Sequence, residues 1–302
     1  MAARRFTLPP ELRNDGRIGE ALSAIRERWP GAFQAPGGRH DSPVFVLSAG
    51  MRAGSTLVQR LLISSGELFV WGEPLGEAAL VPRLCAGLGT IDRAWPKDSY
   101  FEHPTEISAV SRSWIANLTP DLRYLWNSHR ALLMEWLAKP ADEKFGIPRW
   151  GLKETRLSIE HARYLKWLFP EARFVFVYRN PFHSFASLKG LMWRGIWPGY
   201  HPSSPVAFAR NWRKLVVGFL NGHHDVDGCM IKFEDLIGGR VSLADIASHI
   251  GVRELDPEVL KTRVSLTAKG SSSHHRKLNP YDRLVIRTVC GPVLDQLGYR
   301  PS

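Results

Sequence analysis

PVFVLSAGMRAGSTLVQRLL, residues 43–62, is the stretch from which the rest of the chain can be read. It begins with VFVL at 44–47, a short apolar, β-branched run of the kind that forms a buried strand. Residues 48–55 are small and glycine-containing and carry one cation, Arg52. From Thr56 the spacing turns helical, with Leu57, Val58, Leu61 and Leu62 on one face. A strand, a tight loop and a helix start together offer free backbone N–H groups and the positive end of a helix dipole to an anion. The expected ligand is a phosphate or a group shaped like one, held by Arg52, Ala53, Gly54, Ser55, Thr56 and Leu57.

A triphosphate loop of the G-x-x-x-x-G-K-[ST] type places a lysine directly after its second glycine. Here the first glycine is replaced by Ala49, the lysine position holds Ser55, and the cation sits earlier, at Arg52. That arrangement suits one terminal phosphate carrying a transferring group better than a triphosphate with Mg²⁺. An ordinary strand-to-helix turn is the bland alternative. The segment also resembles the 5′-phosphosulfate loop, [KR]-x-G-[ST]-[ST], of sulfotransferases that use 3′-phosphoadenosine 5′-phosphosulfate (PAPS).

With 302 residues, 44% hydrophobic and 23% charged, the chain has the composition of one large α/β domain with a substantial core. The formal net charge of +11 favours anionic ligands. Its arginines are spread throughout, so a generally basic surface is favoured over a nucleic-acid-binding stripe. Cys85, Cys229 and Cys290 are far apart and form no CxxC pair, which indicates neither a zinc site nor a disulfide framework, and no metal is expected. The N-terminal MAARRFTLPPELR has no apolar stretch behind its arginines, and no run approaches a membrane span, so a soluble, cytoplasmic protein is expected. Residues 1–302 read as a single domain: a helical leader and linker at 1–42, and an aromatic, loop-broken insertion at 78–146 where an acceptor pocket or simple helical packing could lie.

Beyond the first helix, FVW at 69–71 reads as a short strand, and Gly72 and Pro74 force a turn around Glu73. An acid beside an anion site opposes anion binding unless it has a proton to take, which makes Glu73 a candidate general base, with Glu77 next; a solvated loop acid is the alternative. WGLKET at 150–155 reads as a strand ending in polar residues, and Lys153 either meets the substrate or forms a surface salt bridge with Glu154 or a neighbour.

RFVFVY at 173–178 is a buried, parallel-type strand that runs into Arg179-Asn180-Pro181, and Ser187 follows eight residues after Arg179, about two helical turns on. That spacing can bring a guanidinium and a hydroxyl to one phosphate. The segment resembles the sulfotransferase 3′-phosphate motif, strand-R-[ND]-P-x-x-x-x-x-S. Both junctions are expected at the carboxyl edge of a parallel sheet, where α/β folds bind ligands.

KFEDL at 232–236 is similar to a third segment common in that family, and the basic loop LTAKGSSSHHRKL at 266–278 resembles its nucleotide-closing loop in composition and place. The resemblance, from about Val44 to Leu278, implies a three-layer α/β sandwich with a P-loop-like strand-loop-helix, and a PAPS-dependent transfer to an acceptor hydroxyl. It implies Glu73 as base, Arg52 on the leaving phosphate, Arg179 and Ser187 on the 3′-phosphate, Lys269 and Gly270 over the nucleotide, and Lys153 and Glu77 toward a small-molecule or carbohydrate acceptor. The acceptor side departs from the aryl and steroid branch, whose mid-chain histidine base has no counterpart around His103, His129 or His161, and is closer to the bacterial and carbohydrate branches. An ATP-using small-molecule kinase and a nucleic-acid-binding protein are the alternatives.

Overall fold

The run at 44–47 becomes the middle strand of a five-stranded, all-parallel sheet. In the computed structural model, which describes residues 15–75, 78–101, 106–189, 204–262 and 277–299, the strands are β1 (Val44–Ser48), β2 (Phe69–Trp71), β3 (Trp150–Glu154), β4 (Arg173–Tyr178) and β5 (Gly228–Lys232). They lie in the order β2-β3-β1-β4-β5. Around them, in chain order, are α1 (Gly16–Arg28), α2 (Ser55–Ile63), α3 (Leu80–Ala86), α4 (Leu122–Leu133), α5 (Ile159–Leu168), α6 (Pro181–Lys189), α7 (Pro205–Gly222), α8 (Leu243–Ile250) and α9 (Pro280–Gln296). Shorter helical turns are named by their residues.

β1 is buried from end to end because both its faces are covered, which is why its sequence is a continuous apolar run rather than an alternation. Phe45 and Leu47 share one face with Trp150, Leu152, Phe174 and Phe176 and pack under α1, α4, α5 and α7. Val44 and Val46 share the other face with Val70, Val175 and Val177 and meet Val58, Leu61 and Leu62 of α2 and Ile246 and Ile250 of α8. Helices, sheet, helices: the three layers are those expected from the sequence. α1 docks through Ile18, Leu22 and Ile25.

Some boundaries move for local reasons. The spacing of Leu125, Leu132, Leu133 and Trp136 predicts one helix over 122–137, but α4 stops at Leu133 and continues as a π-helical turn, Met134–Ala138, which brings Leu137 and Ala138 into the core. The apolar run at 229–233 predicts a strand through Phe233, but β5 ends at Lys232 and Phe233 opens the short helix Phe233–Ile237. α8 starts at Leu243, where the Ser242 hydroxyl accepts from the Asp245 N–H. In the insertion, Trp126 is buried packing, whereas Trp114 is 73% exposed.

The leader and insertion are joined by a buried ion pair between Asp41 and Arg130, side chains 5% and 4% exposed. Arg130 also donates to the Leu168 carbonyl. Its guanidinium lies 4.7 Å from both the Trp126 and the Phe169 ring centroids. Breaking one side of such a pair leaves an uncompensated buried charge. Asp41→Ala is therefore expected to lower unfolding stability by about 3–5 kcal/mol in urea titration; a loss of only a few tenths would contradict the pair's role.

Candidate functional site

The parallel register decides which side chains meet. Leu47 is level with Glu154 on one side and Phe176 on the other, and Trp71 is level with Leu152. The residues that leave the carboxyl ends of β1, β2, β3 and β4 therefore emerge along one edge of the sheet.

From β1 the chain makes a tight loop. The Ala49 N–H donates to the Val177 carbonyl at 2.8 Å, which carries the pairing one step past the strand. Gly50, Arg52 and Gly54 then adopt positive φ angles of 84°, 64° and 93°. Arg52 is the unusual member, because a residue with a Cβ resists the left-handed region. The conformation turns its carbonyl inward to accept from Arg179 Nη1 at 3.3 Å and the Ser184 hydroxyl at 3.5 Å. Gly54 is left-handed and tight as well: a Cβ there would lie 2.1 Å from the Phe233 ring. α2 begins at the next residue with no side-chain cap, so its first N–H groups face the loop's concave side.

From β4 the chain brings the second half. Asn180 caps α6, its Oδ1 accepting from the Phe182 N–H at 2.9 Å, while its own N–H donates to Glu234 Oε1 at 2.9 Å. Glu234 also accepts from the Tyr299 hydroxyl at 2.9 Å, so it ties two turns together rather than capping its own helix. The Ser187 hydroxyl, on the buried side of α6, accepts from Arg52 Nε at 3.0 Å. Arg179 stacks on Phe233, 4.6 Å from the ring centroid, and its Nε is buried with no hydrogen-bond acceptor. Burial lowers both arginine pKa values, Arg179 with Arg52 as a repelling neighbour partly offset by Glu234. Two adjacent half-buried cations, an orphaned donor and a helix start are thus brought together at one place.

The acid edge lies over β2 and β3. Glu73 is not a solvated loop acid. Lys153 Nζ donates to its Oε1 at 2.6 Å and Arg156 Nη2 donates to its Oε2. Lys153 and Arg156 are each only 8% exposed, so the salt bridge considered for Lys153 is a buried one, made with Glu73 from 80 residues away. Burial pushes the Glu73 carboxyl up, but the two cations outweigh it and hold it below its ordinary value. Glu154, behind it, goes the other way: burial pushes its carboxyl up to about 7, against the pull of Arg156. Sequence reading missed Arg156 and offered Glu154 only as a surface partner of Lys153, whereas Lys153 pairs with Glu73 and Glu154 with Arg156. The KETR run at 153–156 is charged enough to have drawn attention, but nothing local reveals the partner in the turn after β2.

Two of the described histidines can be placed. His161 Nδ1 accepts from the Ser158 N–H inside the α5 capping box, and burial holds its imidazole down to about 4, in the neutral form. His183 is an exposed residue of α6 rather than a packing one. Glu77, Lys269 and Gly270 lie outside the described residues. Among those described, no cluster of His, Cys, Asp and Glu could hold a metal ion, and no helix is long and apolar enough to cross a membrane.

Comparison with known proteins gives the site a family context. A family model described as "Sulfotransferase family" matches residues 43–255. Two similar solved structures are the sulfotransferase STF9 from Mycobacterium avium and the sulfotransferase domain of the Synechococcus PCC 7002 olefin synthase. The first shares 15% identity over 98% of this chain and 87% of its own, with a TM-score of 0.43. The second shares 16% over 85% and 97%, with a TM-score of 0.39. No curated protein matches the chain.

Two outcomes test the geometry. Gly54→Ala is expected to lower stability by about 2–4 kcal/mol, combining a left-handed backbone with overpacking against Phe233; a neutral melting curve would refute the close approach. Glu73→Gln is expected to cost about 1.5–3 kcal/mol near neutral pH, because Lys153 and Arg156 lose their counter-charge. A depressed carboxylate contributes stability above its unfolded value and loses it as pH falls through the folded one. The gap between wild type and Glu73→Gln should therefore close below the ordinary value of 4.5, as seen by denaturation at a series of pH values.

Proposed function

The chain belongs to the sulfotransferase family, and from that premise we propose that it moves a sulfuryl group from PAPS to an acceptor hydroxyl by in-line transfer. Sulfuryl transfer itself follows from the family; the donor and the roles below are our reading. The observation that carries it is the convergence of Arg52, Arg179 and Ser187 at the start of α2, with Arg179 Nε buried and unpartnered. An orphaned guanidinium donor beside a second cation wants an anion with in-plane oxygens, which is what a phosphate supplies.

In this scheme Arg179 and Ser187 hold the 3′-phosphate, the group that separates PAPS from most adenine nucleotides. Arg52 and the N–H groups at residues 52–56 bear the 5′-phosphate and neutralise the charge that collects there as the S–O bond breaks. When bound, PAPS supplies the electrophilic sulfur. Glu73 takes the proton of the acceptor hydroxyl as the oxygen bonds to sulfur. One of its two cations must then release its oxygen, and we assign this to Lys153, whose ammonium can pivot from Glu73 to the transferring group. Lys269 and Gly270 complete the nucleotide side, and Glu77 stands with Lys153 on the acceptor side; these assignments rest on family resemblance. The acceptor is a hydroxyl compound, with no metal involved.

Calorimetry should find 3′-phosphoadenosine 5′-phosphate binding tightly, with ATP·Mg²⁺ and an oligonucleotide weak; preference for ATP would sink the donor assignment. Arg179→Ala should bind the 3′-phosphorylated and 3′-dephosphorylated nucleotides about equally, removing a charge-assisted pair of about 1.5–3 kcal/mol. For the base, Glu73→Gln should stop turnover of a hydroxylated acceptor at a temperature where the variant remains folded, with nucleotide affinity retained.

A further inference from the structure

Glu154 has no role in that scheme, yet it is an ionisable group held where one is costly. Its side chain is 9% exposed. It lines an apolar crevice with Leu80, Val81, Leu133, Leu137, Leu152 and Leu157, walls that offer a carboxylate no donor. The crevice has a free volume of about 10 Å³, room for about one water. Glu154 Oε1 accepts from the Thr155 N–H at 2.8 Å and lies 3.4 Å from Arg156 Nε. The same guanidinium reaches Glu73 through Nη2. One cation therefore serves two carboxylates, one deep and one at the site.

Resting on the reading that Glu73 takes the acceptor proton, we propose that Glu154 is a positioning residue that sets the basicity of Glu73 through their shared Arg156. Ionised, Glu154 draws on the guanidinium and repels the neighbouring carboxylate, and both effects make Glu73 hold a proton more readily. Protonated, it leaves Arg156 to Glu73 alone, and Glu73 becomes a weaker base. The charged groups that face Glu154 are Arg156 and Lys153 from its own strand end and Glu73 from the turn after β2; the described residues of α3, α4 and the π-helical turn that line the crevice beside it are apolar. Burial raises Glu154 to about 7, with Glu73 adding to the rise and Arg156 opposing it, so the change of state falls near neutral pH. A single ionisation centred there increases the ionised fraction about tenfold from pH 6 to pH 8.

The coupling can be read without donor or acceptor. In the full chain labelled with ¹³C at glutamate carboxyls, and assigned with Glu73→Gln and Glu154→Gln, the Glu154 signal should titrate near 7. The Glu73 signal should show a step at the same midpoint, far above its own titration. In Glu154→Gln that step should vanish, while the low-pH titration of Glu73 stays in place, because Glu154 is already protonated there in the wild type. Arg156→Lys, whose ammonium cannot span both carboxylates, serves as the second variant and should shrink the step. A Glu73 signal flat between about pH 6 and 8, or a step that persists in Glu154→Gln, overturns the proposal whether or not the enzyme turns over PAPS. With turnover in hand, the wild-type rate should rise between about pH 6 and 8 with a midpoint near 7 and the Glu154→Gln rate should not, at unchanged nucleotide affinity. An identical pH profile in the two proteins would overturn it as well, whereas absence of turnover beside an intact step at Glu73 would overturn the donor reading alone.

Discussion

The alignment of β1 with its two neighbours is the constraint on which the rest of the structure depends. Phe45 pairs level with Leu152 and with Phe174, and Leu47 with Glu154 and with Phe176. Parallel strands expose nothing but side chains on their faces, so a slip of one residue would turn every apolar side chain to the wrong layer. Burial on both faces thus fixes the register, and the register fixes where the loops begin. Arg52, Lys153, Glu154 and Arg179 converge because hydrophobic packing several residues earlier leaves them no other exit. The chemistry is positioned by residues that take no part in it.

The two edges of the site handle charge differently. On the β1–β4 side, two arginines lie side by side, and their repulsion is tolerated through a carbonyl, a hydroxyl, an aromatic face and the charge of nearby Glu234. On the β2–β3 side, two cations meet two carboxylates and the balance is nearly closed. A net positive cradle therefore lies beside a nearly neutral cluster, the pairing that the proposed donor and base roles call for. The overall basic charge of the chain says only that anions are welcome; this local asymmetry says where.

Most of the fold was legible in the sequence because its signals are local. The apolar runs at 44–47 and 173–178, each flowing into small or proline-started helices, announce buried parallel strands whatever surrounds them. The convergence of Arg52, Arg179 and Ser187 was legible for the same reason, being set by strand ends. The acid side was less so. Glu73 could be singled out by its glycine and proline neighbours, but its state depends on Lys153 and Arg156, some 80 residues later, and no spacing rule connects them. The same holds for Asp41 and Arg130, separated by 89 residues. The π-helical turn after α4 escaped because Leu133, Leu137 and Ala138 continue an ordinary helical pattern, and only their fit against the sheet selects the wider turn.

One attachment bears on how the molecule comes into being. The turn after β4 is held by Glu234, which leans on the hydroxyl of Tyr299, and α6 ends in Lys189, whose ammonium bonds at 2.6 Å to Asp282 in the capping box of α9. Both props belong to the last stretch of described chain. During synthesis the sheet can assemble as soon as β5 has emerged, yet the Arg179 turn lacks its supports until residues 280–299 follow. A nascent chain would pass through a stage in which the sheet is paired but the Arg179 turn is still unbraced, and the bracing arrives late, with α9 and the residues just after it.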